Sequence, residues 1–440
     1  MAPLGMNGQG AGAMTIDLAL NRPVAKVVAQ HVEEGAVLCN VRMQMVDAPH
    51  VRLHHLRRLD DRLAAHLDGL AVAGEYGAHL CATALARPGI GEVFVATALA
   101  LDSRDEPCLD KILALAQALP ECRPGVLSAF GWAAAASLRD ITRELLDSDS
   151  AFRRMVGILA CNAHQVDPGA ALADALGDPD PVLRAQGLRT AGECGRRDLL
   201  DACLRALGDA NADCRFQAVR SAVLLGDRHA AIHALHRLAH EAGAHRMPAI
   251  DLLLKLMTPE QAMPLLKALF EAQADARLLI RGLGVSGDPQ FVPLLIDRMD
   301  DPALSRLAGE SFSLITGLDL EMLDLYRKPA EGLETGPTDD PADTDVAMDE
   351  DDGLPWPDAH RIGAWWAANA QNFEPGARYF MGAPPSWSHG LQVRKGGCQR
   401  QRRAASEHLC FLQPGTPLFP TDAPAWRQQH RLEASDPDAA

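Results

Sequence analysis

The residues best able to do chemistry in this chain recur in a fixed rhythm. Asp147/Arg153, Asp178/Arg184, Asp209/Arg215, Glu271/Arg277 and Asp300/Arg306 each set an acid six residues before an arginine, and His240 replaces the acid before Arg246. Arg153, Arg184, Arg215, Arg246 and Arg277 stand 31 residues apart, and Arg306 follows 29 later. A guanidinium is a planar fork that matches a carboxylate or a phosphate. A row of them can therefore read an anionic ligand, or it can tie each structural layer to the acid of its own or the adjacent layer. A pair that serves every layer alike points to the second use, a structural ladder. An acid in the turn can also accept N–H groups at the start of the next helix, worth about 1 kcal/mol.

The elements that hold this row follow from the same period. Leu145, Leu176 and Leu207 are also 31 apart, and Leu238 and Leu269 extend the column to Met299. A period in this range marks a repeat array. Each unit reads as helix, turn, helix. Leu172 and Leu176 share a face of the first helix, Gly177 ends it, and Pro181 opens the second. Val182, Ala185 and Leu188 mark an expected apolar stripe, and Gly195 closes the unit. Such a hairpin buries its faces only by stacking on neighbours.

No other chemistry is spelled out. No nucleotide-binding loop, metalloprotease motif or nucleophile elbow occurs. The ten cysteines form no C-x-x-C pair, so neither zinc nor a redox motif is signalled, and a reducing compartment is expected. His54, His55 and His66 lie on a helix without the carboxylates that orient metal-bound imidazoles. No cofactor or metal is expected. A formal charge of −16 opposes a nucleic-acid backbone as the main ligand. No apolar run is long enough to span a membrane.

The expected organisation is a disordered leader over 1–14, an N-terminal helical cap over 15–74, degenerate helical repeats over 75–146 and regular repeats over 147–328. An acidic linker over 329–354 and a C-terminal helical unit and tail over 355–440 complete it. Ten acids and no base fall between Glu331 and Asp352, a composition that predicts disorder. Five of the six tryptophans lie beyond residue 353. Trp365, Trp366, Arg378, Tyr379, Arg400, Arg402 and Arg403 are the candidate partner surface, because Trp, Tyr and Arg dominate binding hot spots.

The spelling around Leu176, Asp178, Val182, Arg184 and Ala185 resembles short HEAT repeats of the phycobilisome-lyase-like type. The fold class expected is all-α, a right-handed α-solenoid of HEAT-like helical hairpins with an acidic insertion and a small helical C-terminal part. Leu59-Asp60-Asp61-Arg62-Leu63, the mid-chain repeats, Trp365-Trp366, Gly376-Ala377-Arg378-Tyr379 and Gln399 to Ala405 are similar to a proteobacterial HEAT-repeat family often encoded near type VI secretion spike genes. No catalytic residue is assigned in that family. The resemblance implies a non-catalytic cytoplasmic scaffold or adaptor whose partner is a protein, a secretion spike or an effector. Helical-repeat enzymes resembling lyases or di-iron hydroxylases are the alternative, but His240-Glu241 is the single His-Glu step, too few for a di-iron site. DNA-binding HEAT-like proteins are a further alternative, opposed by the net charge.

Overall fold

The computed structural model describes residues 23–272, 276–329 and 349–434. It is an all-α helical-repeat solenoid in which β-strand is confined, among the described residues, to one pair of two-residue strands. The described residues form two compact units, one within 23–43 and 58–139, the other within 44–57 and 140–434.

The first unit takes its helices from α1 (Ala25–Met45), α2 (Leu53–Val72), α3 (Glu75–Ala84), α4 (Ile90–Ser103), α5 (Glu106–Ala118) and α6 (Arg123–Trp132). Val93 to Leu101 of α4 are all buried, so this helix is the centre of the unit. A Cβ at Gly91 would lie 2.3 Å from the Ala36 carbonyl oxygen, which is why α4 can begin against α1. The buried carboxylate of Asp60 is held by Arg42 Nε at 2.7 Å. Trp132 sits edge-on to Phe94, with the Arg42 guanidinium over its ring.

In the second unit six hairpins follow one another. They are α7 (Ile141–Leu146) with α8 (Ala151–Ala163), α9 (Ala170–Ala175) with α10 (Pro181–Glu193), and α11 (Leu200–Arg205) with α12 (Ala212–Leu224). Then come α13 (Ala230–His240) with α14 (Arg246–Leu256), α15 (Pro259–Ala272) with α16 (Ala276–Ser286), and α17 (Val292–Arg298) with α18 (Ser305–Thr316). Second helices approach closely where a small residue faces the next layer. Ser221 Oγ donates to the Leu188 carbonyl at 2.6 Å beside Gly192, and Ser311 Oγ to the Ile280 carbonyl at 3.0 Å beside Gly284. The buried stripe of α10 is Leu183, Gly187, Leu188 and Ala191, while Val182 is half exposed. Of the expected stripe, Leu188 is buried and Ala185 half-buried, whereas Leu183 takes the inward place expected for Val182; Asp180, not Asp178, caps the helix. Asp180 Oδ1 accepts the Val182 and Leu183 N–H groups. Ser150 and Asn211 hold the same position on α8 and α12.

Beyond the hairpins, β1 (Tyr326–Arg327) pairs antiparallel with β2 (Trp356–Pro357) and pins both ends of the acidic insertion. The chain continues through α19 (Ala359–Asn369), α20 (Trp387–Gly396), α21 (Gln399–Leu412) and α22 (Ala425–Ala434). The expected leader over 1–14, and residues 330–348 of the expected linker, lie outside the described residues.

Candidate interaction surface and the docked C-terminal segment

The turns build their ladder by a rule that the sequence period only half shows. Arg184 reaches back to the Asp178 carbonyl at 2.6 Å and forward to Asp209 of the next unit, Nε–Oδ2 2.7 Å and Nη2–Oδ1 2.9 Å. Asp209 in turn accepts the Asn211 N–H at 2.8 Å, so one carboxylate closes its own turn and joins two layers. The Arg184 hydrogen bonds hold the Asp209 carboxyl below its ordinary range. One layer earlier the same work is done by Arg154, not by Arg153. Arg154 donates to the Ser148 and Asp149 carbonyls and to Asp178 at 2.7 Å. The preceding turn ends on Ser150 as cap, which shifts the arginine by one.

Arg215 reaches back to the Asp209 and Ala210 carbonyls, and Arg246 to the Ala239 carbonyl. Arg277 and Arg306 take their acids from across the insertion. Asp351 accepts both Nη1 and Nη2 of Arg277, at 2.9 and 2.7 Å, and Asp349 accepts from Arg306. Asp351 is buried. Burial opposes ionisation of Asp349, but the Arg306 contact outweighs it and keeps the carboxyl below its usual range. Asp147, Glu271 and Asp300 are exposed, and Glu271 pairs with Lys267 at 3.7 Å instead. The acidic segment was expected to be disordered as a whole, whereas its end at Asp349–Asp351 is docked by two ladder arginines.

A second set of contacts runs along the opposite ends of the second helices. The last carbonyls of a helix lack intrahelical donors, and the C-terminal segment supplies them. Met381 and Gly382 donate N–H groups to Leu314 and Ile315 at the end of α18, and Tyr379 donates to Gly287 after α16. Arg378 donates to the carbonyls of Ser286 and of Leu254, Lys255 and Met257, closing α16 and α14. Gly415 donates to Leu224 of α12, Leu418 to Glu193 of α10, and Arg431 Nη2 to His164 after α8 at 2.9 Å. Six successive second helices thus end on one segment of the same chain. The glycines that close the units make room for it. Gly195 has φ 69°, and a Cβ there would lie 2.1 Å from the Gly415 oxygen; Gly287, at φ 74°, faces the Tyr379 oxygen at 2.2 Å.

Buried ions join layer to layer and, through Lys255, the segment to the array. Glu193 accepts from Asn162 at 2.6 Å, Arg189 at 2.9 Å and Arg220 at 2.8 Å. Burial alone would raise its pKa, but the two arginines pull it down to about 2. Lys255 bridges Asp251 and Glu407 at 2.6 and 2.7 Å. His408 beside it is held neutral, its pKa driven down to about 3 by burial and by the charges of Lys255 and Arg378.

Some of the residues expected to form a partner surface are spent on contacts within the chain. Arg402 is fully buried, donating to the Arg394 carbonyl, Gln399 and Gln428, and burial lowers its pKa to about 10. Arg378 is drawn down to about 10 for the same reason. Arg400 binds Glu310, and Arg403 pairs with Asp47. Trp365, Trp366 and Tyr379 are half-buried around Phe373, with Trp365 edge-on to Phe312. The partner-surface expectation therefore fails for Arg402 and Arg378, whose polar ends face carbonyls and amides of the same chain. Glu193, Lys255, Glu407 and Gln428 were missed. Only the unit-closing glycines hinted at a second chain segment there.

Among the described residues no three His, Cys, Asp or Glu side chains come together as metal ligands. His66 meets His31, Nδ1 to Nδ1 at 3.1 Å, and stops at a pair. No described helix is long and apolar enough to cross a membrane.

Residues 169–253, which span α9 to α14, match the family model for HEAT repeats. This stretch is a HEAT-repeat array. Comparison with curated proteins and with solved structures gives no match. HEAT repeats commonly serve as protein-interaction scaffolds.

Proposed function

We propose that this HEAT-repeat chain is a non-catalytic scaffold that holds a protein partner, and that it serves as an accessory of a type VI secretion system by binding a spike or effector. The observation that carries the scaffold reading is the docked C-terminal segment. The ends of six second helices already accept a polypeptide through backbone carbonyls, glycine gaps and buried ion pairs, which is the chemistry of protein recognition. The secretion partner rests on the resemblance in Leu59–Leu63, Trp365-Trp366 and Gln399–Ala405.

A contact point remains outside the self-docked region. In the turn after α18, Met322 is 81% exposed, and Leu323 and Tyr326 beside it are about half exposed. Clustered exposed apolar side chains mark interaction sites. The purified chain mixed with purified spike protein or effector of its own cell should form a complex on size exclusion. A Met322→Asp, Tyr326→Asp variant should lose that complex while keeping its melting temperature within a few degrees. Absence of a complex with either protein removes the secretion reading, and undiminished binding by the variant removes the contact point.

A further inference from the structure

A cavity of about 650 Å³ opens between α13 and α15, beside the end of α14. That volume lies within the range of small-ligand sites, about 300–1,000 Å³. Ile232, Leu256 and Leu265 give it apolar walls, and Arg228, His236 and His240 bring polar groups to it. No carboxylate lines it, although the chain carries a formal charge of −16. Ile232, His236 and His240 are four apart, so they form one stripe along α13. On α15, Pro264 faces the cavity with no N–H to offer.

Arg228 is the feature that asks for a ligand. Its Nη1 donates to the Val223 and Asp227 carbonyls at 2.6 and 3.0 Å, and its Nη2 to the Phe411 carbonyl at 3.2 Å. The acceptors are all carbonyls, the Phe411 ring centroid lies 5.8 Å from the guanidinium, and among the described residues no ion pair forms on this arginine. A guanidinium carries five N–H groups, so two stay available. Burial disfavours its charge, and the neighbouring Asp227 only partly offsets this. The Asp227 carboxylate is itself engaged by the His229 and Ala231 N–H groups at the start of α13. A half-buried cation without a counter-ion is costly, and an incoming anion relieves that cost. His236 is held neutral by burial and by His240 and His233 nearby, so its ring can donate to or accept from a head group.

We propose that this cavity binds a small amphipathic acid, its carboxylate on Arg228 and its hydrocarbon body between Ile232, Leu256 and Leu265. The site is independent of the protein-partner reading and would stand if that reading fell. It couples the ligand to the C-terminal segment, since the same guanidinium holds the Phe411 carbonyl of α21.

The test is isothermal titration of the full chain with decanoate, kept below its micelle concentration, and in parallel with 1-decanol. Decanoate should bind one saturable site per chain, and decanol roughly tenfold or more weakly because it lacks the charge. Ile232→Trp fills the cavity and should weaken decanoate by about tenfold or more. Ala268→Trp, placed at the exposed rim, should do the same and serves as the readout if Ile232→Trp lowers the melting temperature. Absence of saturable decanoate binding overturns the site. So does decanol binding as tightly as decanoate, or a folded Ala268→Trp chain that binds decanoate undiminished.

Discussion

Glu193 is the side chain on which three layers meet, with Asn162 from the layer before, Arg189 from its own helix and Arg220 from the layer after. His408, on the docked segment beside Lys255, is buried and neutral. Together they set the acid response. With a folded pKa of about 3 against an ordinary 6.5, His408 stays unprotonated when the unfolded chain takes up a proton, so stability falls as pH drops through that window. Glu193, at about 2 against 4.5, adds a loss of the same sign below pH 4.5. The combined cost at pH 4 is on the order of 3–4 kcal/mol. The melting temperature should therefore decline from pH 7 to pH 4, and His408→Leu should flatten most of that decline above pH 5. A melting temperature unchanged across the range would refute the buried neutral histidine. At this scale the sequence is only partly readable. Asp209 and Arg184 were visible because nearly every layer repeats an acid and an arginine at that spacing. Glu193, Lys255 and Arg402 occur once each, so no period marks them, and the Lys255–Glu407 contact spans 152 residues of chain.

Among the elements, the second helices carry the array and the turns set their spacing. The fold class, the hairpin and the leucine column could be read because each layer meets nearest neighbours and so repeats its own spelling. Two things could not. The insertion's acids look like a solvated run until Arg277 and Arg306 are seen to lack ladder acids of their own. The unit-closing glycines look like ordinary helix stops, since a left-handed residue is wanted there anyway. Gly195 separates the two roles. Alanine there meets a φ of 69° and a Cβ 2.1 Å from the Gly415 oxygen. Strain at such a φ costs about 1–3 kcal/mol, and overpacking adds about as much. Gly195→Ala should lower stability by several kcal/mol, well beyond Gly177→Ala, whose Cβ meets nothing nearer than 3.8 Å. Equal melting temperatures for the two variants would show that Gly195 only ends its helix.

For the molecule as a whole, the second unit is closed by contacts between segments far apart in the chain. Gln399 donates to the Val51 carbonyl at 2.7 Å, Arg57 to Gln429 at 2.8 Å, and Arg400 to Glu310 at 3.1 Å. These contacts, with Lys255–Glu407 and the capped helix ends, should outlast a break in the chain. A protease site engineered between Asp339 and Asp340 and then cut should leave two fragments that co-elute on native size exclusion and part only in denaturant. Separation without denaturant would mean that the docked segment is held by its tether and not by its own contacts.

The docked segment also fixes an order of events at the ribosome. Translation runs from the N-terminus, so α8 to α18 emerge before the residues that cap them, Arg378 to Arg431. At about 5–20 residues per second, the final carbonyls are met by water alone for roughly several seconds at α18 and for roughly tens of seconds at α8. The array is thus assembled unfinished and sealed last, and a chain released before Gly415 leaves the ends of α8, α10 and α12 open.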